Sequence, residues 1–445
     1  VEYDQRATAR SAHAFDRAAP RLDLGAGLVS AERYFSPTWA AAEWDRVFTQ
    51  TWLLAAPACD LRDAGDFVRF DVAHESFIIV RGTGGQLHGH YNVCPHRGSR
   101  IVRVDNGSVD RLSCPFHDWK FDLSGRNTYV ADVETFRPEV LCHDRDLSPV
   151  RCEEAAGLVF ITMNDDAPPL KQWLGPMLGI LEGYHVDAMN VVQHRRADWA
   201  SNWKLGVDAF YEAYHLHAIH PQTLTMMDDR TQIDLYPGGF SRQFVPFAQP
   251  SSHYTDQAGV NPVVRAMLAD AGVRDDELPA HASLARAAIA AAKRRRAREF
   301  GVDYDHFSDP QLTDALLCGV FPNVQIVCHP EAVFIHRFLP AADAPRQMLY
   351  DTMILYRHID APGYAAPTWM GLSQDADLTG RTRPEIVHTG LGEPPGMGLV
   401  LDQDSELVPL VQQGVRSRGF RGIILSEQEI RLRHFHAEID RHVLG

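Results

Sequence analysis

The sequence contains no apolar run of eighteen or more residues, so no ordinary membrane-spanning helix is expected. It has no excess of basic charge. Lys and Arg number 43 against 58 Asp and Glu, a formal net charge of −15. Nucleic acid is therefore not expected as a partner, because binding a phosphate backbone needs a basic surface. The first residues, VEYDQRATARSAHAFDRAAPRLDL, lack a hydrophobic signal core. Cysteine is scarce: Cys59, Cys94, Cys114, Cys142, Cys152, Cys318 and Cys328 form an odd, scattered set of seven. That usage excludes a disulfide framework and fits reduced thiols in a cytoplasmic protein. A dinucleotide fingerprint is also missing. GTGGQLHG (Gly82–Gly89) lacks the third glycine and stands between two strand-like segments rather than before a helix. Internal repeats and low-complexity tracts are absent.

What is present fits a multidomain enzyme. A chain of 445 residues with 45% hydrophobic content can form two or three domains around a substantial core. TWAAAEWDRVFTQTW (Thr38–Trp52) reads as a short amphipathic helix. Alternating strand patterns begin at Phe67 and continue to GLVFITM (Gly157–Met163). A polar, proline-bearing stretch from Asn164 marks a boundary. Beyond it, a helix is expected over roughly Trp203–Ile219, with a helix-rich stretch to about Phe300. Three strands (NVQIVCH, AVFIHRFL, QMLYDTMILYRH) and a final helix follow. Clustered strands followed by helices indicate an α+β fold. The one basic run, KRRRAR (Lys293–Arg298), reads as a solvated helix end or a docking patch for an acidic electron-transfer partner.

The most informative stretch runs from Asn92 to Gly125. Cys94-x-His96 is followed after seventeen residues by Cys114-x-x-His117. Two pairs of soft and borderline ligands on two loops suit zinc or an iron–sulfur cluster. A structural zinc site more often uses paired cysteines. One cysteine and one histidine per loop is the Rieske pattern, in which two thiolates hold one iron and two imidazoles the other. Pro95 and Pro115 stiffen the loops, and Gly98 and Gly125 permit tight turns. CPHRGSRI and CPFHDWKFDLSGR closely resemble the Rieske domain of ring-hydroxylating oxygenases. The resemblance implies a [2Fe-2S] cluster held by Cys94, His96, Cys114 and His117.

A second metal site is expected in NWKLGVDAFYEAYHLHAIHP (Asn202–Pro221). On a continuous helix, Asp208, Glu212 and His215 fall at i, i+4 and i+7 and share a face. His220 precedes Pro221, and a loosened last turn would bring it beside His215. His217 points elsewhere and reads as structural. Two histidines and one carboxylate form the facial triad of non-haem Fe(II) oxygenases. The segment again resembles that family, in which the matching histidines bind mononuclear iron. The resemblance places the acidic ligand shortly before Gln412-Gln413-Gly414. Asp404 is preferred over Asp402 and Glu406. Glu212 matches a carboxylate, usually Asp, that joins a Rieske histidine of one subunit to an iron-binding histidine of the next, here His117 to His215. Asp208 stands where many ring dihydroxylases carry Asn. It is either a charge near the iron or a solvent-facing helix residue.

The resemblance covers nearly the whole chain. It implies an N-terminal arm (1–44), a Rieske antiparallel β-sandwich (45–165) and a mononuclear iron domain (166–445) with a large antiparallel sheet flanked by helices, of helix-grip type. It further implies a trimer, with or without small β subunits, that takes electrons from a separate NAD(P)H-dependent reductase or ferredoxin. The expected reaction is O2-dependent hydroxylation of a small apolar, aromatic substrate. Phe210, Met226, Met227, Phe240, Phe244 and Val327 are the pocket candidates. Two alternatives accompany this reading. One is a monooxygenase acting as an N- or O-demethylase or on a quaternary amine, an option that Glu at position 212 favours. The other is a Rieske electron carrier or sensor without mononuclear iron.

Overall fold

The computed structural model describes residues 24–373, 376–394 and 396–445. The first 23 residues of the expected arm lie outside the described residues. Two large sheets dominate. The first has seven strands in the order Leu53–Pro57, Leu158–Thr162, Pro149–Ala155, Leu87–Tyr91, Glu75–Arg81, Asp66–Val72 and Asn106–Ser108. A small three-stranded sheet, Leu112–Ser113, Lys120–Phe121 and Asn127–Tyr129, sits beside it. Its apolar neighbours Ile101, Val102, Leu112, Trp119 and Phe121 form a separate core. The glycines of Gly82–Gln86 turn one hairpin between adjacent strands.

The second sheet has eight strands: Gln232–Tyr236, Phe240–Val245, Ala315–Val320, Val324–Cys328, Ala332–Pro340, Met348–Arg357, Met189–Trp199 and Ile386–Thr389. Every pairing is antiparallel except the last. Strand alternation gives this sheet two distinct faces. On one face, Ser241, Gln243 and Gln325 hydrogen-bond the buried Arg431 guanidinium of the C-terminal helix Ile430–Leu444. The opposite face packs Phe240, Phe244, Leu316 and Ile326 into the core beneath the helices that follow Leu170.

The N-terminal segment joins the halves. Ser36 caps the helix Pro37–Glu43, whose first residue is a proline with fixed φ. The chain continues as a wider turn over Trp44–Phe48 rather than as one regular helix to Trp52. Glu43 is buried and accepts from Lys204 Nζ, Trp39 Nε1 and Trp203 Nε1. Tyr34, Phe48, Phe77, Trp203, Tyr350 and Phe435 belong to one continuous apolar cluster, which locks the two sheets together.

The basic run is not a free patch. Lys293 pairs with Glu331, Arg294 with Asp309, Arg295 with Glu277 and Arg298 with Asp305. Its charges are largely met within the chain, in keeping with a solvated helix end.

Candidate metal centres

The two Rieske-type loops share one backbone design. In the first, the Gly98 N–H donates to the Cys94 carbonyl and the Cys94 N–H to the Ser99 carbonyl. In the second, Asp118 N–H donates to Cys114 and Cys114 N–H to Trp119. Gly98 and Asp118 both adopt positive φ, 75° and 55°. The bonded turns fold each loop so that its cysteine points inward and its histidine outward. Cys94 and Cys114 are each 2% exposed. The His96 and His117 rings lie 4.6 Å apart, and Trp119 stacks on His96 at 4.9 Å. His96 Nδ1 is covered and has no hydrogen-bond partner. Burial and the neighbouring Cys114 push the Cys94 thiol up to about 11, so deprotonation at this site calls for a metal. Two buried sulfurs, two converging imidazoles and an orphaned ring nitrogen fit a [2Fe-2S] cluster.

The second centre begins with a helix that is shorter than expected. Asn202 caps its start by accepting from Lys204 N–H, and the helix spans Trp203–Phe210. It does not continue to Ile219. The Glu212 carboxylate accepts the backbone N–H groups of Tyr214 and His215, a local side-chain turn that competes with the helical ladder. A short helix, Leu216–Ile219, follows, and His220 ends it at φ −120° and ψ 53° before Pro221. Asp208, Glu212 and His215 therefore do not share one helical face. Asp208 is instead bonded to Tyr34 Oη at 2.7 Å and to His436 Nε2 at 3.0 Å. It neither faces solvent nor joins the metal-ligating group.

The chain bend brings His215, His220 and Asp404 together, with ligand atoms within 4.8 Å of one another. Asp404 comes from the helix Leu399–Gly414. That helix is fixed to the first by Gln412, whose Oε1 accepts Asn202 N–H at 2.7 Å. His215 Nδ1 lies 2.5 Å from Glu212 Oε1. His220 Nδ1 lies 2.7 Å from Gln403 Oε1, and its Nε2 lies 3.1 Å from Asp404 Oδ1. With Nδ1–H donating to Gln403, the Nε2 lone pair faces a carboxylate, and a cation is what reconciles two such acceptors. Burial pulls the His215 imidazole down, but Glu212 and then Asp404 outweigh it and hold it above its usual value. The residues fit a mononuclear iron, which His215, His220 and Asp404 would hold. Asp402 instead accepts Met397 N–H near the helix start, and Glu406 is exposed.

The pocket candidates separate by sheet face. Phe210 packs on His336, Phe338 and Tyr350, with centroids 5.0–5.5 Å away. Met226, Met227 and Val327 join Val245 and Phe247 in a small apolar cluster. Phe240 and Phe244 are corrected: both lie in the core on the sheet's other face, where Phe240 meets Trp173 at 4.9 Å. Beyond Phe247 lies a cavity bordered by Phe300, Tyr304, Tyr364, Trp369 and Glu331. Sequence reasoning missed Gln403, the partner of His220. Its place beside Asp404 in the run Asp402-Gln403-Asp404 was the available signal.

Residues 186–445 match the family model of the ring hydroxylating alpha subunit (catalytic domain), and 51–137 match that of the Rieske [2Fe-2S] domain. The chain belongs to the ring-hydroxylating alpha-subunit family. Membership brings both a Rieske cluster and a mononuclear iron, and the family is one of Rieske non-haem iron oxygenases. The carnitine monooxygenase oxygenase subunit of Escherichia coli K12 is 34% identical over 219 residues, 47% of this chain and 56% of that protein. The glycine betaine monooxygenase oxygenase subunit of Pseudomonas aeruginosa is 29% identical over 192 residues, 42% of this chain and 44% of that one. The chain thus matches about half the length of these curated relatives. Among solved structures, naphthalene 1,2-dioxygenase from Rhodococcus sp. bound to indole superposes with a TM-score of 0.65 at 18% identity, covering 99% of this chain and 98% of that one. A quaternary ammonium Rieske monooxygenase with L-carnitine superposes with a TM-score of 0.64 at 18% identity, covering 93% and 95%. Both share the fold.

Proposed function

We propose that this chain is the terminal oxygenase of a multicomponent Rieske system that hydroxylates a C–H bond of a small quaternary amine. The observation that carries the oxygenase reading is the pairing, in one chain, of a four-ligand Rieske set with a buried two-histidine, one-carboxylate group. An electron carrier has no use for the second. When bound, the mononuclear iron supplies the O2 activation. The protein's own part is positioning. Glu212 holds the Nδ1 proton of His215, Gln403 holds that of His220, and both rings thereby present Nε2. Phe210, Met226 and Val327 exclude water on the substrate side. Electrons come from a separate NAD(P)H-dependent reductase or ferredoxin.

The substrate class rests on the carnitine and glycine betaine relatives. The second reading, dihydroxylation of an apolar aromatic substrate, is supported by the naphthalene dioxygenase fold match. A homotrimer accompanies both. No hydrogen bond joins Glu212 to His117 among the described residues, and Glu212 would bridge to His117 of the partner subunit.

The test is substrate-dependent O2 uptake with a surrogate reductase, using trimethylammonium compounds and simple arenes in parallel, followed by product analysis with labelled O2. One labelled atom in a hydroxylated or dealkylated amine supports the proposal. Two atoms in a cis-diol assign the arene reading. Uptake with neither class, in protein holding both metals, sinks the substrate assignment.

A further inference from the structure

A second cluster of ligand-type side chains lies beyond the iron triad. His217, Asp229 and His253 place one ligand atom each within 4.8 Å of one another. His217 belongs to the short helix Leu216–Ile219, whereas Asp229 and His253 come from separate loops. Asp229 Oδ2 lies 3.9 Å from His217 Nδ1 and 3.7 Å from His253 Nδ1. These gaps are too long for hydrogen bonds. They suit three groups that surround an ion.

The individual atoms agree. The Asp229 side chain is only 1% exposed. Its Oδ1 accepts from Ser251 Oγ, but Oδ2 is covered and unpartnered. His217 Nδ1 is likewise covered and unpartnered. Both orphaned atoms point into the same gap. Among the described residues no Arg or Lys pairs with Asp229; its ion-pair neighbours there are those two imidazoles. A buried carboxylate without a cation is costly. The site is also built around a shared hydroxyl, because Ser251 Oγ accepts His253 N–H while donating to Asp229. The His217 and His253 rings stand 4.9 Å apart.

The geometry points to a second, structural metal site at His217, Asp229 and His253, taking a divalent borderline cation of which zinc is the best fit. Two imidazole nitrogens and one carboxylate oxygen are ordinary zinc ligands, and the half-exposed rim leaves room for a water as the fourth. The ion clamps the helix between the two iron-ligating histidines to the loops at 229 and 253. It takes no part in electron transfer or oxygen chemistry.

The test is elemental analysis of purified holoenzyme after equilibration with zinc and gel filtration, for the wild type, His253→Gln, Asp229→Asn and Asp404→Ala. The wild type is expected to retain about one zinc per chain, and His253→Gln and Asp229→Asn to lose it while keeping iron and the cluster spectrum. His253 lies at the rim, so its variant folds even if Asp229→Asn does not. Asp404→Ala is expected to lose mononuclear iron and keep the zinc. Equal zinc in the wild type and His253→Gln overturns the proposal. So does zinc that disappears only in Asp404→Ala, which would place it in the iron triad.

Discussion

Glu212 Oε1 and His215 Nδ1 stand 2.5 Å apart, while the other oxygen of the same carboxylate accepts the His215 backbone N–H. One side chain thus sets both the ring and the main chain of a candidate iron ligand. Glu212→Ala is expected to retain cluster and mononuclear iron, because the three ligands remain. Reductase-coupled turnover should fall on the order of 10–100-fold, the range for losing a ligand's orienting partner. Iron analysis beside steady-state rates checks it, and normal turnover would remove Glu212 from the machinery.

The ligand assignment separates three neighbouring acids. Asp404→Ala and His220→Ala should each lower iron from about three to about two per chain, the two-iron cluster remaining with its visible spectrum. Asp402→Ala should keep all three, since that carboxylate caps the Met397 amide. Iron loss in Asp402→Ala with full iron in Asp404→Ala would reverse the choice.

The pair Glu43–Lys204 is buried, with side chains 2% and 0% exposed. Glu43→Ala strands an ammonium and two indole N–H groups, and should destabilise the fold by about 3–5 kcal/mol. Denaturant titration checks the loss, and a change below about 1 kcal/mol would contradict it.

Asp351 gives the pH dependence. Burial would raise its carboxyl, but Arg337, His194 and Arg196 outweigh burial and hold it well below the usual range. A depressed folded value means that the stabilisation is present above the unfolded pKa of about 3.9 and is lost as pH falls through the folded one. The difference in denaturation midpoint between wild type and Asp351→Asn should stay level from pH 7 to about 5 and shrink only below about 4. A gap that closes between pH 7 and 5 would assign the titration to a histidine instead.

The candidate metal-holding groups that the structure brings together were legible because their residues cluster in sequence: each Rieske-type loop carries a Cys/His pair, and His215 and His220 are five apart. The strand patterns of the second sheet were legible through alternation. The continuous helix over Trp203–Ile219 was not, because its pattern scored apolar spacing and ignored the Glu212 carboxylate competing for Tyr214 and His215 amides. Phe240 and Phe244 were misplaced because alternation tells which residues share a face but not which face meets the iron. That is decided by Arg431, nearly two hundred positions away. The same distance hid the partnership of Asp208 with Tyr34 and His436.

Gln403 and Asp404 are consecutive, and they face opposite nitrogens of one imidazole, Gln403 as hydrogen-bond acceptor and Asp404 as a fellow ligand across the space a metal would fill. A shift of their helix cannot change one contact and spare the other. The orientation of the His220 ring and the position of its carboxylate neighbour would consequently move together whenever that helix moves.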